Sequence, residues 1–553
     1  MNRRRYLQSL AGTGALAALA GCWDGPDGDG PRRTTDAPTR RPPETPPPPE
    51  DPDTEELADE YGTVVDMVAD AGCDPDGDEP CDAAFRDAAA ADTLLRFPAG
   101  TYRFERTNRL SGLTNLGVVG DGDVTFEAPA GHNDKWIVID GGRDLLFRNV
   151  TVDASADNCA PTLQLGVEDG LDVRDVRVVG RGTRDGSAPE GEGGNVPVGN
   201  ALLPIVRSPD GEGVVRRFVA QEGGRIGTYN HGDGRVGIYV GPSHAGTLRL
   251  VDCHVAEFPN NGVYASRTTG VVHVEGGTFR NNDISQVRLG SEGSVVEGTT
   301  VEVDIEDVGG PNAPADYLNP RGIRIESGRA GSNAGRSPGG VTVRDADVRM
   351  FAAPASPGIA VGTNGGDFTI ESTRVRVDAD GSTGILAKAP TGGQHYDPPP
   401  KPHSGTITDV RILGESATGH AVWVIGRGDT TFENLRVDQA GERRDGLYLS
   451  RSPNCTVSDC SLLTGRYPVL LQPTEEPTGD CLVRLDTTEF LGTTGDIEDL
   501  LRRLPVDLGG SRTLCVDPDY ADMGGVTDPV IALTDIRGGD VLKEVISRRS
   551  LDS

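Results

Sequence analysis

The side chains best suited to chemistry sit at one repeated position of a short strand. In Gly237-Ile238-Tyr239-Val240, Gly262-Val263-Tyr264-Ala265 and their later copies, one residue stands between two apolar neighbours. Copy by copy it is Tyr239, Tyr264, Arg288, Arg324, Ala360, Leu386, Trp423, Tyr448 and Leu470. The position two residues on supplies Ser266, Glu326, Lys388, Ser450 and Gln472. Side chains alternate across a strand, so if the apolar neighbours face a core, these residues face out. Aromatic faces stack on the apolar faces of sugars, and guanidinium forks hold carboxylates bidentately. A linear acidic polysaccharide running across the copies would meet both groups. The competing explanation is β-propensity and cross-strand stacking alone.

Acid–base groups crowd the Tyr239 to Arg324 end. Tyr229-Asn230-His231-Gly232-Asp233 leads into the first strand, Pro242-Ser243-His244 follows it, and a long loop from Asp304 to Pro320 precedes Arg324. Removing a proton beside a uronate carboxylate needs a base and a cation that holds the carboxylate. His231, Asp233, Arg288, Arg324 and Glu326 are the candidates for that work. Tyr239, Tyr264, Trp423, Tyr448, Lys388 and His244 are the candidates for holding substrate.

These residues need a scaffold that repeats. A second ladder of apolar–polar–apolar strands runs from Leu145-Leu146-Phe147 through Leu171-Asp172-Val173, Leu248-Arg249-Leu250, Val341-Thr342-Val343 and Ile407-Thr408-Asp409 to Leu482-Val483-Arg484. Copies recur every 21 to 26 residues, and every 35 to 39 where a loop intrudes. Strands at this period, with no helical pattern between them, mean a solenoid. Leucine-rich repeats share the period but need spaced leucines and helices that are missing here. About ten coils stacked at ~4.8 Å would make a rod of roughly 50 Å, with ends that need caps. Asn261 and Asn282 fall at turns expected to correspond, as an asparagine stack that satisfies backbone groups.

Composition narrows the function classes. The chain has 553 residues, 85 acidic and 53 basic, for a net charge of −32. Such a surface excludes a nucleic-acid binder, which needs a basic face. Of the basic residues only Lys135, Lys388, Lys401 and Lys543 are lysine. An Asp-rich, Lys-poor chain is suited to molar salt, where screening suppresses self-repulsion. Aromatics are 5% while glycine reaches 76 residues, which favours many short strands over helices.

The chain opens Arg3-Arg4-Arg5-Tyr6-Leu7-Gln8. An apolar run follows, ending in Leu19-Ala20-Gly21-Cys22 and too short to span a bilayer. Residues 1–22 resemble a twin-arginine signal peptide of the lipoprotein type. That resemblance implies export and lipidation of Cys22, with the membrane engaged through the lipid alone. Residues 23–54 are rich in Pro and Thr and read as an extended stalk.

Glu55 to Ala71 has helical spacing, Ala83 to Ala91 reads as a second helix, and together they cap the solenoid over residues 55–92. From Tyr61-Gly62-Thr63-Val64 through Ala71-Gly72-Cys73-Asp74 to Phe97-Pro98-Ala99-Gly100-Thr101-Tyr102, the sequence resembles the start of a pectate-lyase-like right-handed parallel β-helix. The likeness is closest to the secreted β-helix proteins of halophilic archaea. It implies an all-β fold of about ten coils with an N-terminal helical cap over residues 55–500, a C-terminal cap and tail over 501–553, and a monomer. In such families an arginine often serves as base beside calcium-binding carboxylates. Arg288 or Arg324 would then be the base, with Glu326 or Asp233 on a Ca2+ ion. Polygalacturonase-like members carry Asn-x-Asp, Asp-Asp and Gly-His-Gly on consecutive coils. This chain has no Asp-Asp and no Gly-His-Gly, which argues against that hydrolysis. A lyase, another hydrolase and a non-catalytic surface glycan binder all remain compatible with the fold.

Asp74-Pro75-Asp76-Gly77-Asp78 alternates acids as a calcium loop does, but its glycine is misplaced for an EF-hand and no closing glutamate follows. Nine cysteines less Cys22 leave eight, an even number for an exported chain. Cys73 and Cys81 lie close together in the cap and are the best disulfide. Cys455 and Cys481 look one coil apart in the same register, and Cys253 and Cys460 read as buried thiols.

Overall fold

The computed structural model describes residues 57–182, 199–227, 234–314, 318–327, 339–391 and 398–470. It also gives the backbone of 471–472 and of the strands Val483–Asp486, Glu489–Gly492 and Leu514–Cys515. The chain divides into two units, Met1–Thr45 and Pro46–Ser553, and the first lies wholly outside the described residues. So do Cys22 and the stretch read as a stalk.

Every coil delivers strands to the same two sheets, one of 26 strands and one of 13. The smaller runs from Asn108–Ser111 to Val469–Gln472. Its thirteen rungs exceed the ten or so expected, because the first four precede the clear sequence repeat. Ladder pairs are parallel throughout, except that Leu514–Cys515 pairs antiparallel with Val483–Asp486. The fold is a parallel β-helix, and a parallel crossover of this kind is right-handed in nearly all proteins.

Stacked inward residues make the core. On the smaller sheet Leu202, Ile238, Val263, Val287, Ile323, Ile359, Ile385, Val422, Leu447 and Val469 lie in one line, each buried. The larger sheet answers with Val173, Val215, Leu250, Val274, Val296, Val343, Ile370, Ile407, Phe432 and Val457. The larger sheet bends at a second ladder of left-handed residues. Asn149, Asp175, Arg217, Asp252, Gly276, Gly298, Asp345, Ser372, Asp409, Asn434 and Asp459 all have positive φ. Asn, Asp and Gly tolerate that conformation best, and this explains the Asp or Asn that punctuates the repeat.

The cap differs from the expected pair of helices. Thr63–Asp66 is a strand pairing parallel with Thr93–Arg103, and among the described residues α-helix is confined to Leu57 and Ala58, ahead of that strand, and to Asp82–Ala88. The spacing of Val64 and Val65 also fits a strand, and the open edge of the first coil supplies the partner. Asp82 ties the helix down by accepting the N–H groups of Glu105 and Arg106. Phe85 packs 5.5 Å from Phe104, ring centre to ring centre. The Cys73–Cys81 disulfide is present, with Cα atoms 5.2 Å apart. Cys253, Cys455 and Cys460 are buried free thiols. Cys455 stands opposite Val483, not in register with Cys481, and Cys481 lies outside the described residues.

Candidate functional site

The outward stripe has the register the repeat implies. Tyr239 pairs with Tyr264, Tyr264 with Arg288, Arg288 with Arg324, Arg324 with Ala360, and Ala360 with Leu386. Leu386 continues to Trp423, Tyr448 and Leu470. Parallel pairing places each about 4.8 Å from the next.

At the upper end the side chains lock together. The guanidinium carbon of Arg288 lies 4.3 Å from the Tyr264 ring centre, that of Arg267 lies 5.2 Å away, and Tyr239 meets the same ring edge-on at 5.4 Å. Tyr264 is thereby 8% exposed. It supports Arg288 and offers no open face to a sugar, contrary to the expected stacking role. Tyr239 is half-buried, and burial pushes its hydroxyl above the usual tyrosine range.

Glu326, itself buried, is clamped between two arginines. Arg288 pairs with one carboxylate oxygen, and Arg324 donates its Nε proton to the other at 2.5 Å. Burial alone would raise the Glu326 carboxyl, but the two guanidinium charges outweigh it and hold the group below its ordinary range. Burial pulls Lys388 down, and the fields of Arg321 and Arg324 add to the effect. Four cationic groups, Arg288, Arg321, Arg324 and Lys388, therefore gather around the Glu326 carboxylate. Ion-paired arginines stay protonated, so Arg288 and Arg324 suit the holding of carboxylates better than the base role implied by family resemblance.

Other candidates fall elsewhere. His231 and Asp233 lie outside the described residues. His244 is fully buried: its Nδ1 accepts the Val206 N–H at 3.1 Å, and Nε2 lies 3.3 Å from the Val271 carbonyl. It fastens a turn and cannot reach a ligand. Asn261 stands opposite Ser285, so Asn282 is not its counterpart. Both still satisfy neighbours, Asn282 through Phe258 N–H and the Val255 carbonyl. The Asp74 carboxylate accepts backbone N–H groups of Asp76, Asp78 and Glu79, which close its loop. Among the described residues no cluster of three or more His, Cys, Asp or Glu has the geometry of a metal site.

A second group lies about 14 Å along the stripe, three rungs beyond Arg324. Trp423 and Tyr448 stack at 5.4 Å and 14°, and the His420 ring leans on both at 5.1 and 5.0 Å. The stacked rings cover each other in part and leave mainly their edges open. His420 Nδ1 lies 2.9 Å from Asp445 Oδ2, at an angle poor for a hydrogen bond. Arg466 holds both oxygens of that carboxylate, at 2.6 and 2.5 Å. Burial would raise Asp445, but Arg466 and His420 keep it below the usual range. The repeat carried the signal for this group, since His420 and Asp445 are 25 residues apart, as are Trp423 and Tyr448.

The geometry defines a parallel β-helix with a cation-rich outer stripe. No protein-family model matches the chain, and no curated protein matches it. Solved structures are similar at low scores. The mannuronan C-5 epimerase AlgE4 A-module of Azotobacter vinelandii has a TM-score of 0.34 and 13% identity, over 78% of this chain and 100% of that one. A GH87 α-1,3-glucanase catalytic unit from Streptomyces thermodiastaticus has a TM-score of 0.33 and 15% identity, over 78% and 68%. The surface adhesin PfbA of Streptococcus pneumoniae has a TM-score of 0.36 and 10% identity, over 77% and 90%. Likeness at this level decides nothing about the activity of this chain.

Proposed function

We propose that the outer face of the smaller sheet binds a linear, carboxylate-bearing extracellular polysaccharide. One observation carries the reading: Arg288 and Arg324 occupy adjacent rungs, and Lys388 follows the strand two rungs further on, in a chain whose net charge is −32. Local positive charge against that background selects anions, and its spacing along a straight ladder suits a polymer. Glu326 competes with the ligand for both arginines. Glu326→Gln should therefore tighten binding of polyuronate, and Lys388→Met should weaken it by roughly threefold to tenfold, the range of one charge-assisted contact. Neutral glucan should respond to neither change. Affinity measurements on the three proteins decide the matter, and weaker polyuronate binding by Glu326→Gln would sink the proposal.

A second reading makes the stripe catalytic, and His420 favours it. Its Nδ1 side faces the ionised Asp445, and no described group bonds its Nε2. A general base needs that carboxylate beside one imidazole nitrogen and the other nitrogen open, and the Nδ1 contact would have to align as substrate binds. If it removes the proton next to a uronate carboxylate, the electron pair forms a carbon–carbon double bond as the glycosidic oxygen leaves with a proton. Unsaturated ends appearing in polyuronate digests, and absent with His420→Ala, would establish a lyase. New reducing ends without unsaturation would indicate a hydrolase. Binding with neither product leaves a glycan-binding surface protein.

The placement of the domain belongs to the same proposal. Twin-arginine export and a lipid on Cys22 would hold a monomer at the outer face of the membrane, on its Pro/Thr-rich stalk. Cys22→Ser should release the protein to the medium, and fractionation that finds it still on cells would refute the anchor.

A further inference from the structure

Among the described residues three guanidinium groups are buried in the body of the solenoid, and in two of them every nitrogen has a partner. Arg427 donates to the carbonyls of Lys388, Gly366, His403, Gly362 and Gly365, at 2.8 to 3.1 Å. Arg444 donates to Gln439 Oε1 twice and to the Ser382 and Thr418 carbonyls. The third, Arg235, is 6% exposed, and its Nε, Nη1 and Nη2 all lack a hydrogen-bond partner.

Arg235 immediately precedes the strand Val236–Tyr239, at the corner where the chain enters the smaller sheet. Its guanidinium carbon lies 5.4 Å from the centre of the buried Phe258 ring. Gly182 sits so close that a Cβ there would overlap the guanidinium. Cys159 is the neighbour whose charge would act on it, but burial pushes that thiol up to about 11, so it stays neutral. No described carboxylate compensates the cation. An uncompensated buried charge is costly, and five unsatisfied N–H donors add to that cost. The same fold gives every guanidinium nitrogen of Arg427 and Arg444 a partner.

We infer that Arg235 is the floor of an anion site that takes one small monovalent anion, with chloride as the fitting ligand. One cation calls for one negative charge; a dianion would leave a buried charge of the opposite sign. The described neighbours Phe258, Cys159 and Gly182 carry no charged group that would help to hold a larger organic acid. The site adjoins the strand that carries Tyr239, so its occupancy steadies the first rung of the outer stripe. The inference stands on Arg235 alone and does not depend on the glycan reading.

The test is thermal unfolding of the full chain at constant ionic strength and constant sodium, with chloride exchanged stepwise for gluconate. Wild type should gain stability with chloride by mass action, as any ligand of the folded state confers. Arg235→Met should lose that chloride-specific gain, while Arg344→Gln, at an exposed pair, should retain it. A wild-type protein indifferent to the exchange would overturn the proposal and point to a carboxylate of the chain itself as the partner. If Arg235→Met does not fold, chloride NMR line width on wild type decides: excess broadening displaced by bromide supports the site, and its absence rejects it.

Discussion

At the scale of single residues, the ratio of 49 arginines to four lysines acquires a structural meaning. Arg427 and Arg444 each bridge several turns, using a rigid fork of five donors that lysine lacks. Surface acidity alone would not require this, because a buried guanidinium answers carbonyl groups, not carboxylates. Asp283 shows the opposite case. It is 1% exposed, accepts the Asn319 N–H at 2.9 Å through Oδ1, and has no partner for Oδ2. Burial lifts its carboxyl to about 6. An unfolded aspartate titrates near 3.9, so from about pH 4 to 6 the folded state holds a proton that the unfolded chain has released. Stability should therefore fall as pH rises through that window, by on the order of 2–3 kcal/mol in all, and stay lower above it. Asp283→Asn keeps an acceptor for Asn319 and cannot ionise. Denaturant melts at pH 4.5 and pH 7 should show this slope in wild type and its loss in the variant. An unchanged slope would mean that Asp283 titrates normally.

Among elements, the left-handed turn of the larger sheet is the device that sets the coil. Asp345 has φ 51° and is exposed, so its conformation matters there more than its contacts do. Asp345→Gly should be nearly neutral, while Asp345→Val should cost about 1–2 kcal/mol, the penalty for a β-branched residue held left-handed. Equal stability of the two variants, measured by thermal unfolding, would show that the turn can relax. This turn also explains what could be read from sequence. An Asp, Asn or Gly at the same point of most coils, 22 to 26 residues apart where no loop intrudes, marks the phase of the repeat, and from that phase the inward line through Val263 and the outward line through Tyr264 follow. Contacts around loops did not follow. His244 looked available because it lies in a Pro-Ser-His turn, yet a long-range bond from Val206 buries it. Tyr264 faces outward as its register requires, but Arg288 and Arg267 cover it, and alternation says nothing about neighbours on the same face. His420 escaped notice because it stands three residues before Trp423, outside the alternating core of the strand. The cap was misread because Val64 and Val65 fit helical and extended spacing equally, and only the open edge of the next strand decides between them.

For the whole molecule, two electrostatic effects oppose each other as salt rises. Ion pairs cross the rungs of the larger sheet, among them Arg249 with Glu275, Glu297 with Arg344, and Glu302 with both Arg280 and Arg349. Screening weakens such pairs, but exposed ones contribute only about 0.2–1 kcal/mol each. Repulsion grows with the square of the net charge, and −32 is far from balance. Raising salt from about 0.01 M to 1 M shortens the Debye length from roughly 30 Å to 3 Å, which removes long-range repulsion and leaves contacts within a rung largely intact. Repulsion should win, so the melting temperature should climb with potassium sulfate as well as potassium chloride. Only the increment tied to Arg235 should distinguish chloride. Polyuronate binding should respond in the other direction, but weakly, because Arg324 and Lys388 are partly shielded from solvent ions. The decisive comparison is between melting temperature and polyuronate affinity across one salt series. A protein that melts higher in dilute buffer than in molar salt would show that its acidic surface is compensated locally, and the high-salt reading of its composition would fall.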